Sequence, residues 1–217
     1  MTEKKIPTSE QLNDFRHQVE TASTGADCDR LNSFMEEYDI HTRIYEENGR
    51  KGVKDAAGEV LVPAEFDEVA YTFMDHCRPL AVPVIRDGRF ALVAQDGKGT
   101  MISGFEYDEI HYTPECCYIL VKDGKKGLAM SNGSVVIPAQ MDQVYTPFNG
   151  LASFEKDGRS GFSMVYEGIT TEAVYDDCEF EGDTYLEVVK DGVKGFIDSK
   201  GAFTTDEEEA YFGAFCD

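Results

Sequence analysis

The stretch Tyr118-Ile119-Leu120-Val121-Lys122-Asp123-Gly124-Lys125-Lys126-Gly127-Leu128-Ala129-Met130-Ser131-Asn132-Gly133-Ser134-Val135-Val136-Ile137-Pro138 decides the fold. Apolar-rich runs flank Asp123-Gly124, and a further apolar run follows Asn132-Gly133. Asp-Gly between such runs predicts a two-residue type I′ hairpin turn, because both central positions need positive φ. Asn132-Gly133 predicts a second turn. Pro138, like Pro63 earlier in the chain, is expected to end a third strand, since proline cannot donate to a ladder. The stretch therefore reads as a three-stranded antiparallel meander.

The same landmarks recur in order. Asx-Gly pairs stand at Asn48-Gly49, Asp87-Gly88, Asp123-Gly124, Asp157-Gly158 and Asp191-Gly192, at steps of 39, 36, 34 and 34 residues. Three positions past each pair's glycine comes a second small residue: Gly52, Ala91, Gly127, Gly161 and Gly195. A further glycine follows at Gly58, Gly97, Gly133, Gly168 and Gly201. Four units then close on an aromatic or apolar residue and aspartate: Phe66-Asp67, Tyr107-Asp108, Met141-Asp142 and Tyr175-Asp176. One meander cannot bury its apolar face alone, so neighbours must stack. The expected fold is mainly β, with five tandem three-stranded meanders over 41–205 stacked as an open, twisted β-solenoid-like array. A propeller-like ring is the alternative, and a two-residue insertion before Asp108 favours the open form.

The unit Asp123-Gly124-Lys125-Lys126-Gly127-Leu128, continued by Asn132-Gly133-Ser134-Val135-Val136-Ile137-Pro138 and Met141-Asp142-Gln143-Val144, resembles a WG repeat. Asn48 to Val69, Asp87 to Ile110 and Asp191 to Asp198 resemble further copies, so the likeness runs over about 43–205. The tryptophan of the family pattern is replaced in every copy, by Lys51, Phe90, Lys126, Ser160 and Lys194, and the chain has no Trp. The resemblance implies a β-repeat array with an interaction-type function and no enzymatic activity. The missing indoles count against a role in sugar stacking.

The two ends differ from the array. Residues 1–40 switch to helical periodicity and are expected to form a helical hairpin that caps the open end. Thr8 with Gln11 makes a capping box, and Leu12, Phe15 and Val19 share one face of Ser9–Thr21. Gly25 breaks that segment, and Asp27 can cap a second helix with the stripe Leu31, Phe34, Met35, Tyr38. Residues 206–217 form an acidic, aromatic tail that could fold back on the last unit or dock into another protein.

Charge narrows the partner. The chain has 217 residues with 42 Asp+Glu against 20 Lys+Arg, a formal net charge of −22. Phosphate-rich nucleic acid and anionic membrane surfaces would be repelled. No apolar run approaches the roughly 18 residues of a membrane helix, and no signal-peptide pattern opens the chain, so a cytoplasmic location is expected. Bases gather beside the Asx-Gly turns and acids on the connectors, which predicts separate basic and acidic ridges.

The leading expectation is a non-enzymatic module whose acidic surface engages a basic protein. An immunity protein, antitoxin or DNA-mimicking inhibitor would fit that charge. The candidate partner-binding residues are Glu65, Asp67, Glu68, Glu106, Asp108, Glu109, Asp176, Asp177, Glu179, Glu207, Glu208 and Glu209. A carbohydrate- or cell-envelope-binding β-repeat module is the alternative. No cofactor or metal is expected, because no phosphate-binding loop, nucleophile elbow or metal motif is present. His76, Cys77, His111, Cys116 and Cys117 come nearest to a ligand set, but adjacent strand residues point to opposite faces. In a reducing compartment the six cysteines are expected to stay thiols.

Overall fold

The computed structural model describes residues 4–21, 25–70, 80–113, 115–148, 150–181 and 185–210. After two helices the chain forms five antiparallel sheets, each a meander in chain order. Sheet one is β1 (Arg43–Glu47), β2 (Arg50–Lys54) and β3 (Val60–Phe66); sheet two is β4 (Glu68–Val69), β5 (Ala81–Arg86) and β6 (Arg89–Ala94). Sheet three is β7 (Glu109–Tyr112), β8 (Cys117–Lys122), β9 (Lys125–Met130) and β10 (Val135–Met141). Sheet four is β11 (Gln143–Val144), β12 (Leu151–Lys156), β13 (Arg159–Met164) and β14 (Ile169–Thr170). Sheet five is β15 (Asp177–Glu181), β16 (Tyr185–Lys190), β17 (Val193–Ile197) and β18 (Phe203–Thr204). The mainly β repeat array is as expected, and none of the five sheets closes into a barrel.

Sheets one and two have the expected three strands, and sheets three, four and five have four. The segment after each dyad aspartate is not a connector but the first strand of the next sheet, paired with the hairpin that follows. The cause is local. The backbone N–H of the aspartate already bonds the next hairpin: Asp67 to Ile85 O, Asp108 to Val121 O, Asp142 to Glu155 O and Asp176 to Val189 O, at 2.7–2.9 Å. One residue thus ends one sheet and begins another.

The five hairpin turns have the expected backbone. The Asx residues lie at φ of 51–53° and their glycines at 73–77°, the left-handed pair that a type I′ turn requires.

Pro63 and Pro138 do not end their strands. They sit inside β3 and β10, where the register slips against β2 and β9. A bulge suits a residue that has no N–H to donate. The bulged backbone passes directly over the second small residue of the unit. A Cβ on Gly127 would lie 2.6 Å from both Ile137 O and Ala139 N, and one on Gly52 would lie 2.4 Å from Val62 O. Unit two carries Ala91 at this position, and no proline follows it in Met101-Ile102-Ser103-Gly104-Phe105. There the fourth strand is reduced to the bridges Val93–Met101 and Phe90–Tyr107.

Hydrophobic clusters lie between successive sheets. Val53 and Val62 meet Val82 and Val84; Leu92 meets Tyr118 and Leu120; Leu128 and Ile137 meet Ala152 and Phe154; Phe162 and Met164 meet Leu186 and Val188. Each such buried aliphatic or aromatic side chain contributes about 1.5–3 kcal/mol relative to exposure. The Tyr118 hydroxyl, buried between sheets two and three, donates to Ala81 O at 2.6 Å, so the contact leaves it satisfied.

The helices are α1 (Ser9–Thr21) and α2 (Gly25–Glu37). The capping box forms: Thr8 N–H donates to Gln11 Oε1 at 2.9 Å, and Gln11 N–H to Thr8 Oγ1 at 3.2 Å. Gly25 opens α2 rather than merely breaking α1, and Asp27 sits in its first turn paired with Arg30. Leu12 and Phe15 are buried, and Phe34 stacks between Phe15 and Tyr38 at 4.9 and 4.6 Å. The Val19 side chain lies outside the described residues. Among the described residues no helix is long and apolar enough to cross a membrane. Cys116 is disulfide-bonded, contrary to the expectation that every cysteine stays a thiol, while Cys117 and Cys178 are free.

Two substitutions separate the backbone roles of glycine. Gly124→Ala meets no atom within 4 Å and suffers only the left-handed φ, about 1 kcal/mol. Gly127→Ala must push the β10 bulge away and is expected to cost at least about 2 kcal/mol. Urea denaturation measures both, and equal losses would contradict the close approach.

Candidate functional site

Each dyad aspartate is the hub of a corner. The first residue after each Asx-Gly pair in units one to four is a cation, and it reaches the aspartate of its own unit: Arg50 to Asp67, Arg89 to Asp108, Lys125 to Asp142, Arg159 to Asp176. The second carboxylate oxygen accepts a backbone N–H from the next hairpin turn. The donors are Asp87 (2.8 Å), Asp123 (2.6 Å), Asp157 (2.8 Å) and Gly192 (2.9 Å). A carboxylate with a cation on one side and an amide on the other favours its charged form. Lys125, then the Asp157 amide, hold the Asp142 carboxyl below its ordinary value of 3.8, and Asp142 in turn raises Lys125. Unit five has Val193 in place of the cation, half exposed.

These pairs alter the expected charge map. The basic and acidic ridges are not separate: turn cations and corner acids interleave along one edge, joined further by Lys51–Glu68 and Lys122–Glu106 at 2.5 Å. Of the twelve candidate residues, Asp67, Asp108 and Asp176 are held in corners, and Asp142 belongs with them. Glu68 and Glu106 are in ion pairs, and Glu109 pairs with His111 at 2.7 Å. Glu65 is exposed, and its backbone carbonyl accepts from Arg86. Glu207–Glu209 form a 3-10 turn, capped by Asp206 and followed by Ala210 bridged to Asp198. The acidic tail therefore folds back at least to Ala210; its aromatics Tyr211, Phe212 and Phe215 lie outside the described residues.

Asp177 and Glu179 have a different setting. They stand on one face of β15 and line a groove of about 390 Å³ between sheets four and five. Tyr145, Phe148, Phe154, Glu155 and Ser160 complete its walls. Phe154 is buried as the floor, whereas Tyr145 and Phe148 are 46% and 41% exposed. Tyr145 donates to Glu155 at 2.7 Å, which raises the phenol and fixes that carboxylate at the rim. Cys178 also borders the groove, but burial, then the neighbouring Asp177, push its thiol up to about 12, unsuited to a thiolate nucleophile. The groove gathers three carboxylates beside two exposed rings, which suits a cationic group. Tyr145, Phe148 and Glu155 were not singled out from sequence, and Ser160 was noted only as a replacement for the family tryptophan. The shortness of Ser160, among the replacements for the family tryptophan, was the sign available.

The ligand-like set does not assemble among the described residues: His76 and Cys77 lie outside them, His111 pairs with Glu109, and Cys117 is buried against Thr113. Burial raises the Cys117 thiol as well.

Residues 131–159 match the WG containing repeat family. That span runs from Ser131, in the turn before β10, through the Asp142 corner to Arg159, just past the turn of unit four. The matched span holds one corner, and the same hydrogen bonds recur at three others. No curated protein matches the chain. PorZ, an essential bacterial surface component of the type-IX secretion system of Porphyromonas gingivalis, is 10% identical with a TM-score of 0.27; the likeness covers 75% of this chain and 25% of that one. A eukaryotic initiation factor structure is 10% identical with a TM-score of 0.27, covering 82% of this chain and 62% of that one. The chain thus spans a quarter and about three fifths of those lengths. Likenesses this distant carry no argument about function.

Asp142 gives a pH signature. Its folded carboxyl titrates below the ordinary value, so its contribution is present above that value and is lost as pH falls through the lowered one. Asp142→Ala is expected to lower the urea midpoint near pH 7, with the gap to the parent closing as pH falls below the ordinary value of 3.8. A gap independent of pH would contradict the clamp.

Proposed function

We propose that the chain is a non-enzymatic protein-binding module of the immunity or inhibitor type, whose acidic surface engages a basic protein. The observation that supports this reading is how the charge is used. The turn cations Arg50, Arg89, Lys125 and Arg159 are each neutralised by a corner aspartate. The chain's 42 acids exceed its 20 bases, and among the described residues acid is presented to solvent by exposed side chains such as Glu65, Glu172, Asp177, Glu179, Glu207 and Glu208. A surface of one sign steers a partner of the other sign and raises the association rate more than the affinity.

The stacked sheets suit this role. A repeat array whose sheets are held by cores between them presents pre-ordered strands and turns, so a partner loses little freedom to ordering on the module's side. The WG containing repeat matched at residues 131–159 fits the same interaction role.

The test starts from a partner recovered by affinity capture from the native host and identified by mass spectrometry. Its association rate with the purified chain is then measured by surface plasmon resonance at low and high ionic strength. The rate is expected to fall at least about tenfold as salt rises. A rate indifferent to salt would contradict the reading.

A further inference from the structure

Equivalent positions in the array show what the groove between sheets four and five receives. In unit one, Lys51 lies just before the second small residue, and its ammonium reaches Glu68 at 2.5 Å, the first residue after the corner aspartate. That hydrogen bond is the leading cause that holds the Glu68 carboxyl below its ordinary value. In unit three the same reach joins Lys126 to Gln143. In unit two Phe90 takes the lysine's place, and Glu109 turns to His111 instead. In unit four the place holds Ser160, and the acid at the Glu68 position is Asp177. Serine is too short to span the distance that lysine spans. The groove lies over Ser160, and Asp177 accepts from its own neighbour, the Cys178 amide, at 2.9 Å.

We infer that this groove receives a lysine or arginine side chain of the basic partner protein, which does there what Lys51 does within unit one. The inference rests on the proposed acidic-surface reading and names its centre. Three features support it besides charge. About 390 Å³ holds a cationic side chain together with part of its backbone. Tyr145 and Phe148 are partly exposed aromatic side chains lining it, and a cation over an aromatic face gains further attraction. The chain already uses that contact on its own cations, with Lys54 4.0 Å from the Tyr45 ring centroid and Arg86 4.8 Å from that of Phe105. Among the described residues, no ion pair reaches Asp177 or Glu179. A partner cation would thus meet carboxylates that no cation among the described residues pairs with.

The test uses the full chain and a fluorescent hexa-arginine peptide, followed by anisotropy. Ser160→Lys copies unit one and places an internal ammonium beside Asp177. It is expected to weaken peptide binding at least about tenfold. Ala57→Lys adds the same charge on an exposed turn of unit one and should change binding far less. Asp177→Asn, which keeps the shape of the side chain, is the second variant should Ser160→Lys unfold, and it should also weaken binding. Equal losses for Ser160→Lys and Ala57→Lys, with binding still salt-sensitive, would overturn the groove and leave the acidic-surface reading standing. Free arginine amide binding as tightly as the peptide would make this a small-cation site and overturn the docking of a protein side chain. A parent chain that does not bind the peptide even at low salt would overturn the groove and the acidic-surface reading together.

Discussion

The corner aspartate is the constraint on which the array depends. Asp67, Asp108, Asp142 and Asp176 each join a cation of their own unit to a turn amide of the next. The hydrophobic clusters between sheets are non-directional, and they would tolerate sliding or rotation of one sheet over another. A carboxylate that accepts from two directions at once tolerates neither. Its own backbone N–H adds a third tie to the next hairpin. Burial thus supplies most of the stabilisation, while the corners set the register of stacking. Such exposed ion pairs are individually weak, so their value lies in geometry and in repetition.

Much of this was legible in the sequence because it lies in backbone conformation. Asx-Gly turns demand left-handed φ, and only a few residues supply it, so five turns could be read with their types. The capping box at Thr8 and Gln11 is equally local. Strand count was harder to read. Two-residue strands such as Glu68–Val69 and Gln143–Val144 have no periodicity to detect, and only their pairing reveals them. Pro63 and Pro138 misled for a related reason: a proline ends a regular strand but fits a bulge. The four corner dyads were visible as a motif, yet their work was not, since the partners stand 15–20 residues away.

The candidate site was legible only in part. The surplus of acid was plain from composition, and Asp177 and Glu179 were among the residues it pointed to. What distinguishes them from Asp67 or Glu68 is the absence of an internal cation. That depends on which side chain sits across the sheet junction. Ser160 opens the groove by being small, and a small residue carries no sign of its own in a linear sequence. Repetition is what makes it readable, because units one and three show the lysine that unit four lacks.

Amide hydrogen exchange at the hairpin tips tests the corner account most directly. The Asp87, Asp123 and Asp157 amides sit at exposed turns yet donate to a preceding corner carboxylate, whereas the Asp39 carboxylate ahead of Asn48 is held by His41 and Arg43, and among the described residues no carboxylate accepts the Asn48 amide. The account predicts slow exchange at the three aspartate amides and fast exchange at Asn48. Four amides that exchange alike would contradict it.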